Sequence, residues 1–251
     1  MKAILLCAGY ATRLYPLTKD KPKALLPVRG KPILTSILEQ VERVPAVDGV
    51  YCVSNHKFVD RFREWADGIS RNQAKSNRTP VVVLDDGTTE AGRRLGAIGD
   101  INFCIEKESI DDELLIVAGD NFFTFDLLEY YDFYRRKGGD CVCAKELPDV
   151  SLLRQMGVAV TDGGDRIIRL VEKPDEPESN LAVYATYFYT RGTARLIGRY
   201  LAEGNKPDAP GYFIQWLYRE KPVYVWRMNG ECLDVGTVAS YENALRRFGD
   251  G

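Results

Sequence analysis

Short apolar runs alternate with amphipathic segments through the first half of the chain. The apolar runs are KAILLC, GVYCVSN, PVVVLDDG and ELLIVAGDN, and helical spacing marks KPILTSILEQVERV, FVDRFREWADGI and RRLGAIGDINFCIEK. Parallel strands need a crossover connection, which is usually a helix, so this alternation indicates βαβ units. We therefore predict an α/β fold of Rossmann-like type, with a mixed, mostly parallel central sheet flanked by helices.

The second half mixes strands and helices in a different order. The segments DCVCAKEL, GVAVTD, RIIRLVEK and LAVYATYFYT read as strands, while FDLLEYYDFYRRKGG, TARLIGRYLAEG and ASYENALRRF have helical spacing. This order predicts a small β-rich part added to the main sheet. The polar stretch SRNQAKSNRT reads as a surface loop, and no internal repeat or linker is visible. We expect a single domain over residues 1–251.

Composition narrows the classes of function. The chain has 34 basic and 36 acidic residues and a net charge of −2, which argues against bulk binding to nucleic acid or to a membrane surface. Its six cysteines form no CxxC pair, which favours reduced thiols and a cytoplasmic location. The single histidine, His56, makes a multi-histidine metal site improbable.

The segment LLCAGYATRLYPLTKDKPKALLP, residues 5–27, has the features of an anion site. A buried strand ends in a turn of small residues, whose backbone amides can bind phosphate oxygens. Four cations follow, and Arg13 and Lys23 can neutralise a polyphosphate. The loop is neither a Walker A motif nor a dinucleotide GxGxxG motif.

Three further segments place charged residues at strand ends. VAGDN delivers Asp120 at the carboxyl end of an apolar strand, where open α/β sheets bind ligands, and a carboxylate there can hold Mg²⁺. LVEKP supplies Glu172 and Lys173, and CLDVGT supplies Asp234, a second candidate metal ligand. Taken singly, each has an ordinary structural explanation as a turn, a helix cap or an exposed ion pair.

Taken together and in order, GYATRLYPLTKDKPKALLPV, GDN, EKP, SNLAVYATYFY and LDVGT resemble the motifs of sugar-phosphate nucleotidyltransferases. The chain closely resembles their glucose-1-phosphate thymidylyltransferase-like branch, from residue 2 to about residue 248. The resemblance implies the nucleotide-diphospho-sugar transferase fold, with the β-rich part binding sugar. It also implies Mg²⁺-dependent, in-line attack of a sugar 1-phosphate on the α-phosphate of a nucleoside triphosphate, which gives a nucleotide sugar and pyrophosphate.

The resemblance also implies the roles of individual residues. The expected catalytic residues are Arg13, Lys23, Asp120, Lys173 and Asp234, of which Asp120 and Asp234 hold the metal. The expected nucleotide-binding residues are Ala8, Gly9, Tyr10, Ala11, Thr12, Arg13, Lys23 and Asp120, with Gly87 and Thr88 on the base side. The expected sugar-phosphate-binding residues are Gly157, Glu172, Lys173 and Val183.

The sequence departs from the family pattern at two places. Alanine stands at Ala8 and Ala11 where glycine is common, and Ala11 should resist a positive φ. The segment LDDGTTEAGRRLGAIGD lacks the glutamine that reads the pyrimidine in thymidylyltransferases, and offers Asp86, Thr88, Glu90 and Arg94 instead. CTP therefore stands beside dTTP and UTP as a candidate nucleotide.

Several alternatives stay open at this point. The chain could be a cytidylyltransferase acting on a non-glucose sugar, polyol or choline phosphate, or a non-catalytic regulatory subunit that binds nucleotide sugar. A glycosyltransferase of similar fold would need a D-x-D motif where the chain has Gly-Asp-Asn. No hexapeptide-repeat tail is visible, so we expect a stand-alone catalytic domain, and the family makes a homo-oligomer an open possibility.

Overall fold

A computed structural model of the chain describes residues 1–72 and 79–249. The strands are β1 (Lys2–Leu6), β2 (Pro27–Val28), β3 (Lys31–Pro32), β4 (Gly49–Ser54), β5 (Val81–Asp85), β6 (Leu114–Ala118), β7 (Asn121–Phe123), β8 (Asp140–Glu146), β9 (Gly157–Thr161), β10 (Ile167–Glu172), β11 (Leu181–Tyr189), β12 (Val223–Arg227) and β13 (Cys232–Asp234). The α-helices are α1 (Ile33–Val41), α2 (Val59–Asn72), α3 (Ala97–Lys107), α4 (Leu127–Lys137), α5 (Val150–Leu153), α6 (Arg191–Ala202), α7 (Pro210–Glu220) and α8 (Val238–Phe248).

The chain forms two compact units. The first contains Met1–Arg94, Val117–Leu127 and Gly230–Gly251, and the second contains Leu95–Ile116 and Leu128–Asn229. The prediction of a single catalytic domain stays a prediction.

The first unit is built on parallel strands. β1 pairs in parallel with β4, and β4 pairs in parallel with β5. The end of β6 follows β1 in the strand order, and the Gly119 amide donates a hydrogen bond to the Leu6 carbonyl at 2.9 Å. Parallel sheets are normally covered on both faces, which agrees with the complete burial of Ala3, Ile4 and Leu5. The carboxyl ends of β1 and β6 therefore meet at one edge.

Gly119 is required at that edge by close packing. A Cβ atom at this position would collide with Cys7 Sγ and would lie 3.1 Å from the Leu6 carbonyl oxygen. The absence of a side chain lets the turn before Asp120 approach the end of β1.

The second unit is antiparallel in most of its pairings. β10 pairs with β9, and β11 pairs with both β9 and β8, all antiparallel, while β12 joins β8 in parallel. The fully buried Asp140, at the start of β8, accepts hydrogen bonds from Thr190 and Thr193 and pairs with Lys221 at 3.0 Å. This network ties the beginning of α6 and the end of α7 to the sheet.

The Rossmann-like mixed α/β class is confirmed, with differences at some element ends. The helix predicted from Arg93 begins at Ala97, because Gly96 has a φ of 80° and the first helical amides donate to the carbonyls of Pro207 and Asp208. Pro32 ends β3 instead of lying inside α1. Of the loop predicted at residues 70–79, the first three residues end α2 and residues 73–78 lie outside the described part.

All six cysteines are buried and free of disulfides, as the sequence predicted. Across residues 1–72 and 79–249, no helix combines the length and the apolar character needed to cross a membrane.

Candidate active site

The opening loop leaves β1 at the carboxyl edge of the first unit. The Cys7 amide donates to the Val53 carbonyl at 2.9 Å, and the Asn55 side-chain amide donates to the Ala8 carbonyl at 2.9 Å. Ala8 is buried, whereas Gly9 is exposed and a Cβ atom there would meet nothing within 4 Å. The loop is thus fixed at its base and open at Gly9.

Ala11 adopts the positive φ that an alanine side chain disfavours. Its φ is 50° and its ψ is 35°, in the left-handed region, immediately before a short 3₁₀ turn over Thr12–Leu14. An L-residue in this region is disfavoured by roughly 1–2 kcal/mol, so its neighbours must hold it there. The buried Thr18 hydroxyl donates to the Ala11 carbonyl at 2.7 Å, and the Leu14 amide donates to the same carbonyl at 3.0 Å. Thr12 and Arg13 remain exposed.

Lys23 brings the loop to both predicted metal ligands. Its ammonium group forms an ion pair with Asp120 and lies 3.8 Å from Asp234 Oδ1. β13 pairs with β7 so that Asp234 lies opposite Asn121, and the Val235 amide donates to the Asp120 carbonyl at 3.2 Å. Three residues from distant parts of the sequence therefore form one charged cluster.

The charges of this cluster shift the pKa values of Lys23 and Asp234. Burial disfavours the charged form of Lys23, but the carboxylates of Asp120 and Asp234 outweigh it and raise the pKa of this lysine. The pKa of Asp234 is raised by removal of surrounding water and then by the negative charge of Asp120, while Lys23 and Arg13 act in the opposite direction. An additional cation would relieve the repulsion between the two carboxylates.

The two carboxylates fit a magnesium ion whose remaining ligands come from substrate and water. The described residues contain no group of three or more His, Cys, Asp or Glu side chains that could hold a metal on their own. Mg²⁺ is usually bound by one or two carboxylates together with substrate phosphates and water, and Asp120 and Asp234 match that need.

The predicted base-side residues lie against the opening loop. The Tyr10 hydroxyl donates to Thr88 Oγ1 at 3.3 Å, and Thr88 is buried. The Thr88 amide and hydroxyl both donate to Asp86 Oδ1 at 2.7 Å. Gly87 is exposed with a φ of 76°, and its amide donates to Asp85 Oδ1 at 2.9 Å. The structure therefore joins two predicted nucleotide-binding segments that are remote in sequence.

The predicted sugar-phosphate residues gather in the second unit. Gly157 is the pairing partner of Glu172 on β10 and of Val183 on β11. The strand ends at Glu172, and the exposed Lys173 turns away with a φ of 53°. The arrangement brings the four sequence-predicted positions to the end of three neighbouring strands.

The side chain of Glu172 is half-buried, and its surroundings disfavour the charged carboxylate. Burial raises its pKa, and the charge of Lys173 opposes that effect. Its carboxylate accepts no hydrogen bond from residues 1–72 or 79–249. Its oxygens are open to solvent, where a ligand hydroxyl group could donate to them.

Comparisons with known proteins identify the family of the chain. The family model described as "Nucleotidyl transferase" matches residues 2–250. The chain belongs to the nucleotidyl transferase family.

The relatives differ in length and in the activity for which they are named. A bifunctional protein GlmU of Methanocaldococcus jannaschii is 31% identical over 94% of this chain, which spans 51% of that relative. The UTP–glucose-1-phosphate uridylyltransferase AglF of Haloferax volcanii is 30% identical over 99% of this chain and 96% of its own length. A UDP-glucose pyrophosphorylase solved with UDP-glucose has a TM-score of 0.80 at 19% identity, covering 98% of this chain and 97% of that one, and so shares the fold.

In this nucleotidyl transferase, the residues that support the opening loop were not among the predicted site residues. Asn55 follows β4 at the same sheet edge as Asp120, so the signal that selected Asp120 could also have selected Asn55. Thr18 carried no comparable signal, because its role depends on the left-handed turn at Ala11.

Proposed function

We propose that the chain is a sugar-1-phosphate nucleotidyltransferase. The observation that carries the proposal is the cluster of Lys23, Asp120 and Asp234 beside a phosphate-type loop that contains Arg13. A turn with free amides, two cations and two carboxylates matches the needs of a triphosphate and a divalent metal.

The reaction forms one bond and breaks one bond at the α-phosphorus. An oxygen of the sugar 1-phosphate attacks that phosphorus in line, and the bond to the oxygen bridging the α- and β-phosphates breaks. The products are a nucleotide sugar and pyrophosphate. Such a transfer depends on positioning and charge neutralisation, which suits a charged cluster without histidine.

The candidate site residues of the first unit bind the triphosphate and the metal. The backbone from Ala8 to Thr12 binds phosphate oxygens, Arg13 neutralises the departing pyrophosphate, and Lys23 binds the α- and β-phosphates after leaving Asp120. Asp120 and Asp234 would hold Mg²⁺. When bound, this ion would offset the charge that gathers on the reacting phosphates.

The second unit binds the acceptor. Lys173 binds the phosphate of the sugar 1-phosphate, and Glu172 accepts hydrogen bonds from sugar hydroxyls. Gly157 and Val183 line the space for the sugar. The raised pKa of Glu172 and its unused acceptor oxygens support this role.

UTP is the first candidate nucleotide, because the relative AglF is named for that triphosphate. A cytidine preference would need a base-side carboxylate that can accept from an exocyclic amine, and the exposed Glu90 leaves CTP in the test. Asp86 Oδ1 instead accepts from the amide and hydroxyl of Thr88, so this carboxylate shapes the turn. The relative AglF is named for UTP and glucose 1-phosphate, which makes a hexose 1-phosphate the first acceptor to test.

The test is pyrophosphate release measured over a grid of substrates. One axis holds dTTP, UTP, CTP, GTP and ATP, and the other holds hexose, amino-sugar and heptose 1-phosphates with polyol and choline phosphates. Asp120→Asn and an excess of EDTA serve as controls. A signal that is lost in both controls supports the proposal and identifies both substrates.

A blank grid would overturn the catalytic proposal. Nucleotide binding without pyrophosphate release would favour the regulatory alternative. A homo-oligomer and a cytoplasmic location stay predictions.

A further inference from the structure

The turn between Glu172 and Lys173 is strained and held by two hydrogen bonds. Lys173 has a φ of 53°, which a non-glycine residue adopts only when its surroundings require it. The Lys173 amide donates to the Met156 carbonyl at 3.0 Å, and the Glu172 amide donates to Gln215 Oε1 at 2.9 Å. A side chain of α7 therefore fixes the backbone from which both predicted sugar-phosphate groups project.

Gly211 makes the second contact between α7 and this turn. A Cβ atom at Gly211 would collide with Glu172 Oε2 and would lie 2.7 Å from its carboxyl carbon. A Cβ atom at Gly157 would lie 2.9 Å from the same oxygen. The carboxylate thus occupies space that exists because two residues beside it are glycines.

We propose that Gln215 and Gly211 are positioning residues for the acceptor, an inference that rests on the proposed function of Glu172 and Lys173. Gln215 holds the Glu172 amide and so keeps Lys173 in its left-handed conformation. Gly211 leaves room for the Glu172 carboxylate to face a sugar hydroxyl group.

Gln215→Met tests the first contact. Methionine has a similar length and no group that would accept this hydrogen bond well, and Gln215 borders a cavity of about 310 Å³, so the change needs no repacking. We expect faster hydrogen exchange at the Glu172 amide. We also expect a rise of about three- to tenfold in KM for the acceptor, the usual effect of losing one hydrogen bond, with KM for the triphosphate unchanged.

Gln40→Met is the matched control for this change. The Gln40 side chain accepts from the Leu127 amide at 3.5 Å and from Arg43 at 3.2 Å in the first unit, so the control removes a glutamine acceptor elsewhere. It should change neither the exchange at Glu172 nor KM for the acceptor.

Gly211→Ala tests the second contact, and Gly192→Ala is its control. Each glycine is the second residue of its helix, but a Cβ atom at Gly192 would meet nothing within 4 Å. Gly211→Ala should raise KM for the acceptor and leave KM for the triphosphate unchanged, whereas Gly192→Ala should leave both constants unchanged.

The outcomes separate this inference from the proposed function. If the unmodified protein releases no pyrophosphate with any pair of substrates, the proposed function fails, and the exchange measurement still tests the contact. Unchanged exchange at Glu172 in Gln215→Met would overturn the inference. An equal rise in both Michaelis constants would also overturn it, because that pattern indicates a general structural effect.

Discussion

The ammonium group of Lys23 is paired with the carboxylate of Asp120, although the loop and the strand end that carry them are far apart in sequence. In the proposed reaction the two groups have different partners, since Lys23 binds phosphate and Asp120 binds metal. The pair therefore holds both groups in place before substrates arrive and must open when they bind.

Asp120→Asn should reduce turnover about 10²–10³-fold, the size of effect seen when one preorganised electrostatic group is removed. The amide leaves Lys23 without its main counter-charge and removes one carboxylate from the metal site. The measurement is the rate of pyrophosphate release. Asp60→Asn, on the exposed first turn of α2, should retain full activity. Full activity of Asp120→Asn would contradict the assigned role.

Ala11→Gly should stabilise the protein, by about 0.5–1 kcal/mol, because glycine adopts a φ of 50° without steric penalty but loses more entropy on folding. The measurement is the free energy of unfolding by urea. Ala239→Gly, at an exposed position in α8, should instead destabilise by about 1 kcal/mol. If both changes destabilise equally, Ala11 is not strained.

Glu172→Gln should raise thermal stability at neutral pH and raise KM for the acceptor by about tenfold or more. The pKa of Glu172 is raised in the folded state, so its favourable contribution is fully present at low pH and is lost as the pH rises through that pKa. The stability gained by glutamine should therefore grow with increasing pH.

The control for this prediction is Glu176→Gln, at an exposed position of the following loop. Melting temperatures of the three proteins across the acidic to neutral range provide the measurement. A gain from Glu172→Gln that is largest at low pH would contradict the burial of an ionised carboxylate.

Tyr10→Phe should raise KM for the triphosphate about three- to tenfold, because it removes the hydrogen bond between the opening loop and Thr88. KM for the acceptor should not change. Tyr51→Phe, on β4, is the control with the same loss of a hydroxyl group. Steady-state kinetics with the nucleotide found in the grid would check both variants, and equal constants for Tyr10→Phe and the unmodified protein would exclude this role.

The sequence predicted the secondary structure better than the contacts of the site. The apolar runs at β1, β4 and β6 were readable because both faces of these strands are buried. The start of α3 was misplaced because Gly96 and the carbonyls of Pro207 and Asp208, remote in sequence, decide it. The contact of Gln215 with Glu172 could not be predicted, because no sequence pattern identifies the partner of a polar residue on an amphipathic helix.

The sequence by itself determined which strands are buried, which loop is basic and which carboxylates stand at strand ends. Those properties follow from local periodicity and from the chemistry of single residues. The tertiary structure alone decided that Lys23 meets Asp120 and Asp234, that Tyr10 meets Thr88, and that Ala11 and Lys173 take left-handed conformations. The reason is physical: strand pairing brings distant chain ends to one sheet edge, and hydrogen bonds from remote residues then hold backbone conformations that local preference disfavours.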